Sequence, residues 1–175
     1  MKNTKKITFC GIFVALAVAV MLVSYFPYLT YSVPAVAGLC IMAIVIEFNC
    51  KWAFISYLAS SFFVFLFAEP EAKLFYILLL GYYPILKSLI ERINKPIIEW
   101  IIKLLIFNIA LLAIYGLFAG VFGIEKVEDI PFFGKFGLYV LAGVGNIVFA
   151  IYDYAVSKMA LFYIYVVRPK IKKFL

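Results

Sequence analysis

The chain has 175 residues, 67% of them hydrophobic and 14% charged, with a formal net charge of +7. One domain of this size cannot hide so much apolar surface from water, so the composition excludes a soluble globule and points to a bilayer. There is no histidine, and the three cysteines, Cys10, Cys40 and Cys50, form no CxxC pair, which argues against structural zinc, any other metal centre and histidine-dependent catalysis.

A hydrocarbon core about 30 Å thick takes roughly 20 apolar residues per helix. The first such run covers residues 7–26, after the basic start KNTKK. Its full membrane width reads as a retained anchor and not as the shorter core of a cleaved leader. Inside it, GIFVALAVAV sets Gly11, Ala15 and Ala19 one turn apart. That smooth stripe serves either packing within the chain or docking of another protein. The next loop, PYLTYSVPAVAG, is uncharged and carries Tyr28 and Tyr31 between Pro27 and Pro34. Prolines stiffen it, and the tyrosines either stack over a ligand or form an interfacial belt.

The second run, 34–48, is short enough for a tilted or partly re-entrant segment. The third, 52–68, is closed by EPEAK, and the fourth, 73–90, by ERINKP. The fifth covers 97–122 and is closed by IEKVEDIPFF; the sixth covers 136–166 and ends in RPKIKKFL. The expected architecture is all-α: one transmembrane domain over residues 1–175, an integral membrane bundle of six helices.

Six spans put both termini on one side, together with Lys2, Lys5, Lys6, Lys51, Lys87, Arg92, Lys95, Arg168, Lys170, Lys172 and Lys173, eleven of the sixteen basic residues. The other side holds Lys73, Lys126 and Lys135 against five acids. By the positive-inside rule both termini are expected in the cytosol, with the chain multi-pass in a cell membrane. The basic residues mark membrane edges, so the net charge signals topology and no nucleic-acid partner.

Polar groups at membrane depth are costly and usually face the bundle interior. At 100° per residue, Lys135, Tyr139, Gly143, Asn146, Asp153 and Ser157 fall on one line of the sixth helix. Asn108, Tyr115 and Ala119 align on the fifth, and Tyr76, Tyr83 and Lys87 on the fourth. Two readings stand side by side. Tyr76, Asn108, Tyr115, Tyr139 and Asn146 line a cavity opening outward, or they are hydrogen-bonding glue between helices. Nearer the cytosol, Glu99 and Lys103 are spaced to pair on their own helix, while Lys87, Asp153 and Lys158 snorkel or pair at the surface.

There is no GxxxxGK(S/T) phosphate loop and no nucleophile–base arrangement, so the chain reads as no enzyme and powers nothing itself. No inverted repeat of the ion-coupled carrier kind is evident.

In its small size, its six spans and the start MKNTKKI leading into GIFVALAVAV, the chain resembles the substrate-binding subunits, or S components, of energy-coupling factor (ECF) transporters. In that family, small residues at four-residue spacing on the first helix pack against a membrane coupling subunit, which is served by a pair of ATPases. The resemblance implies that role for Gly11, Ala15 and Ala19, and a vitamin or similar micronutrient as cargo. By location it implies binding roles for Tyr28, Tyr31, Tyr76, Asn108, Tyr115 and Asn146, with no cofactor. The missing histidine argues against a nickel or cobalt member. Two alternatives remain: a membrane scaffold resembling the rod-shape-determining MreD family, and a self-contained small-solute carrier.

Overall fold

The computed structural model describes residues 3–26, 28–121 and 137–171. Pro27, the segment 122–136 with Lys126 and Lys135, and both chain ends lie outside the described residues, as does the side chain of Ala119.

The described residues are helical with no strand. In chain order they form α1 (Asn3–Leu22), α2 (Val33–Glu47), α3 (Cys50–Phe67), α4 (Pro70–Phe75), α5 (Tyr83–Ile90), α6 (Pro96–Val121), α7 (Gly137–Phe162) and α8 (Arg168–Ile171). Local chemistry sets the boundaries. Proline stands in the first turn of α2, α4 and α5, where its missing N–H costs nothing and its fixed φ suits a helix. The Asn49 side chain caps α3 by accepting from the Trp52 amide at 3.0 Å. Asn94, in the left-handed region at φ 55°, ends the turn before α6.

Five continuous helical stretches are long and apolar enough to cross a bilayer: Asn3–Tyr25, Cys50–Phe67, Pro70–Ile93, Pro96–Leu117 and Ala142–Lys170. The chain is thus a multi-pass, all-α membrane bundle whose outer faces fit contact with lipid. At 15 residues, α2 is only about 22 Å long. Its position explains the shortness: it packs against α1, α3, α5 and α7, and Ala37, Ile41 and Ile44 are fully buried. A helix apolar all round belongs in such a sheltered place.

Contacts between helix ends fix their alternation. Phe9 of α1 meets Phe48 edge-on at 5.3 Å, and Arg168 approaches Glu47 at 3.2 Å; this is the terminal end. At the far end the Tyr25 hydroxyl donates to the Phe67 carbonyl at 3.0 Å.

The fourth run, expected as one helix over 73–90, is bent. Between α4 and α5 lies a π turn, Tyr76–Leu80, in which the Gly81 amide donates to the Tyr76 carbonyl at 2.8 Å. Reaching five residues back leaves the Ile77 carbonyl without its usual donor. Pro84, with no N–H, does the same to the Leu80 carbonyl. Hydroxyls from two other helices cover the gaps: Tyr57 of α3 donates to Ile77 O at 2.6 Å, and Tyr152 of α7 to Leu80 O at 3.4 Å. Gly38 of α2 lets the bend approach, since a Cβ there would sit 2.6 Å from the Leu80 carbonyl. One bend therefore ties four helices together.

Candidate functional site

Beneath the far end lies a cavity of about 440 Å³. Phe75 of α4 and Leu79 and Leu80 of the π turn form one wall; Phe107 and Leu111 of α6 form a second. Val144, Gly145, Val148, Phe149 and Tyr152 of α7 form a third, and Tyr31 stands at the mouth. The volume falls within the range of roughly 300–1,000 Å³ typical of small-molecule sites. The lining is hydrocarbon and aromatic ring. Tyr31 meets Phe75 edge-on at 5.3 Å, and its hydroxyl donates to Glu71 Oε2 at 2.8 Å. Acceptance by that carboxylate holds the phenol in its neutral form, pushing its pKa from 10.0 up to about 12.

The floor is a stack of rings. Phe107 lies flat on Phe149 at 4.4 Å between centroids, and Tyr83 meets Phe149 edge-on at 5.1 Å. Under this layer, toward the terminal end, sits a cluster of charges. Asp153 of α7 accepts from Tyr83 and Lys87 of α5 and, at 3.2 Å, from Lys103 of α6. Lys87 and Lys103 also reach Glu91, at 3.0 and 2.9 Å. Lys103, Lys87 and Asp153 are only 4%, 5% and 6% exposed. Two lysines face two carboxylates, so the charges balance. Balance makes such burial tolerable, because an unpaired ion there would cost several kcal/mol.

This cluster replaces the expected Glu99–Lys103 pair. Glu99 instead accepts from the Lys95 amide at 3.1 Å at the start of α6, where the freed amides of a helix terminus compete for a carboxylate. Nor do Lys87 and Asp153 reach the surface; they turn inward together. Lys158 does stay outside, 5.2 Å above the Tyr154 ring.

The seven residues expected at a ligand site are scattered. Tyr31 is the one on the cavity wall. Tyr28 is 99% exposed in the first loop, and Tyr139 is 74% exposed on α7. Tyr76 is fully buried against α3, its hydroxyl 2.8 Å from that of Ser60. The Tyr115 hydroxyl is shielded, with no hydrogen-bond partner among the described residues. Asn108 and Asn146 face each other across α6 and α7. Each amide donates once to the other, at 2.9 and 3.2 Å, and once to its own helix, at Leu104 and Ala142. All four amide hydrogens are thereby used. Sequence reasoning missed Phe107, Phe149 and Tyr152; apolar side chains facing a void look the same in sequence as those facing lipid.

On α1 the inward face is Phe9, Cys10, Ala17 and Met21. Gly11, Ala15 and Ala19 lie on the opposite, exposed side, and a Cβ on Gly11 would meet nothing within 4 Å. Among the described residues the smooth stripe takes no part in the chain's own packing.

No protein family, characterised protein or solved structure matches this chain. Among the described residues no group of histidine, cysteine and carboxylate side chains is placed to hold a metal ion.

Proposed function

We propose that the chain is a membrane-embedded substrate-binding subunit that takes a vitamin-like small molecule into the far-end cavity and docks through α1 on a coupling subunit driven by an ATPase pair, as in ECF-type importers. The single observation that carries the reading is a half-open apolar cavity of about 440 Å³, walled by α4, the π turn, α6 and α7 and floored by the ring stack of Phe107, Phe149 and Tyr83. A scaffold would have no use for such a void, whose walls forgo dispersion contacts. With both termini in the cytosol of a prokaryotic cell, the cavity opens outward, and the charge cluster stands between it and the cytosolic side.

The outward-facing stripe supports the docking half. Lipid gives little hydrophobic drive for helix association, so close approach over Gly11, Ala15 and Ala19 is how α1 gains contact with a partner. The test is copurification from the native membrane. Wild-type chain is expected to bring down an ATPase pair and a membrane partner; Ala15→Trp, which touches no internal contact, is expected to lose them while its melting temperature stays unchanged. Copurification that survives Ala15→Trp, or wild-type chain that transports solute alone in liposomes, overturns the docking arrangement.

A further inference from the structure

Resting on the binding role just proposed, the cavity's chemistry narrows the guest. We infer that it holds a molecule with a largely apolar, ring-bearing body and a non-anionic end that donates a hydrogen bond at the Tyr31–Glu71 mouth.

The body follows from what the walls offer. Of the two hydroxyls among the lining residues, Tyr152's turns away from the void toward α2 and the α4 bend: it donates to Leu80 O, and a Cβ on Gly38 would lie 3.1 Å from it. Its ring, with those of Phe107 and Phe149, is what the guest meets. Among the described residues no charged side chain lines the cavity. The nearest ions below, Asp153 and the two lysines, are committed to one another beneath the aromatic floor. A carboxylate or phosphate against these walls would lose water and find neither donor nor counter-ion among the described lining residues. Flat apolar rings, by contrast, gain edge and face contacts with three aromatic side chains.

The polar end follows from the mouth, whose described side chains accept and do not donate. Tyr31's only hydroxyl proton is given to Glu71, leaving lone pairs on the phenol oxygen and a carboxylate beside it. Glu69 lies close enough to act on Tyr31, and its Oε2 is shielded without a hydrogen-bond partner among the described residues. The lysine that follows, Lys73, is turned away: its ammonium donates to the Phe65 carbonyl at 3.1 Å and sits 5.5 Å over the Phe65 ring. A donor such as an amine, amide or hydroxyl meets acceptors here, whereas an anion meets a second negative charge.

The test uses two fluorescent probes with one skeleton, 1-aminoanthracene and anthracene-1-carboxylate, titrated at neutral pH into the full chain in lipid nanodiscs, with empty nanodiscs as blank. The expected result is saturable binding of the amine, with the carboxylate at least tenfold weaker. Glu71→Leu is expected to weaken the amine about tenfold, the range of a hydrogen bond to a charged acceptor, in protein that stays folded with its melting temperature lowered only by the loss of the Tyr31 bond. Leu111→Trp and, independently, Val148→Trp, which fill the void from different helices, are expected to abolish saturable binding in folded protein. Carboxylate binding as tight as the amine overturns the assigned guest chemistry and leaves the binding role standing. An amine affinity indifferent to Glu71→Leu overturns the mouth as its polar end. Saturable binding of neither probe, or binding untouched by both tryptophans, overturns the cavity as a binding site.

Discussion

Lys103 and Asp153, fifty residues apart in the chain, meet at 3.2 Å in the interior between α6 and α7. Neither has water to fall back on, and together with Lys87, Tyr83 and Glu91 they join the three helices under the cavity floor. Removing one partner therefore differs from removing a surface ion pair. Asp153→Asn strands two ammonium groups with Glu91 as their remaining counter-charge, and is expected to cost about 3–5 kcal/mol. Adding Lys87→Met restores charge balance and is expected to recover part of that loss. Thermal unfolding of the three proteins in one detergent checks both; equal melting temperatures for wild type and Asp153→Asn would show the cluster to be inert.

Glycines give a second contrast. Gly38→Ala places a methyl 2.6 Å from the Leu80 carbonyl and 3.1 Å from the Tyr152 hydroxyl, at the bend that four helices share. Overpacking of this kind costs about 1–3 kcal/mol. Gly11→Ala, with nothing within 4 Å, is expected to leave stability unchanged or slightly raised through better helix propensity. Chemical denaturation of the pair reads the difference; similar losses at both positions would contradict the packing described.

Tyr57→Phe removes the donor that covers the Ile77 carbonyl, leaving a buried acceptor empty. The expected loss is about 1–3 kcal/mol, with hydrogen exchange rising around the π turn. A silent substitution would mean that the released carbonyl finds another donor.

Much of this architecture is legible in the sequence. The hydropathy runs mark the helices; the short second run is legible as unusual, but its length suits a tilted or re-entrant segment as well as the sheltered helix the bundle holds. The stripe of Tyr76, Tyr83 and Lys87 does point inward, whereas on the sixth helix only the lower part of the stripe, Asn146, Asp153 and Ser157, does; Tyr139 and Gly143 are exposed. Partner choice is not legible. The i,i+4 spacing of Glu99 and Lys103 offers a local pair worth a few tenths of a kcal/mol, which a buried carboxylate on another helix easily outbids. The run 73–90 reads as one helix although Pro84 interrupts it, and the rescue of the Leu80 carbonyl by Tyr152 depends on a helix that follows more than fifty residues later.

The asparagine pair separates glue from ligand site. Since Asn108 and Asn146 use all their amide hydrogens on each other and on their own helices, Asn146→Leu is expected to cost about 1 kcal/mol of stability and to leave probe affinity nearly unchanged. A large loss of affinity at constant stability would place these amides at the guest.

At the mouth, Tyr31 titrates late. Its pKa rises from 10.0 unfolded to about 12 folded, so the stability its neutral form contributes is complete below pH 10 and is lost as pH climbs through about 12. Phenolate absorbance of wild type minus Tyr31→Phe is expected to show one transition near pH 12, and Glu71→Gln to move it downward. A transition near pH 10 in wild type would mean that the Tyr31–Glu71 bond does not form.

The most direct measurement is mass spectrometry of small molecules retained by the chain purified from its native membrane, with Leu111→Trp processed in parallel. The expected result is one predominantly apolar, non-anionic compound near one per chain in wild type and absent from Leu111→Trp. An empty wild-type protein, or the same compound in equal amount in both, would contradict a far-end cavity built to hold a guest.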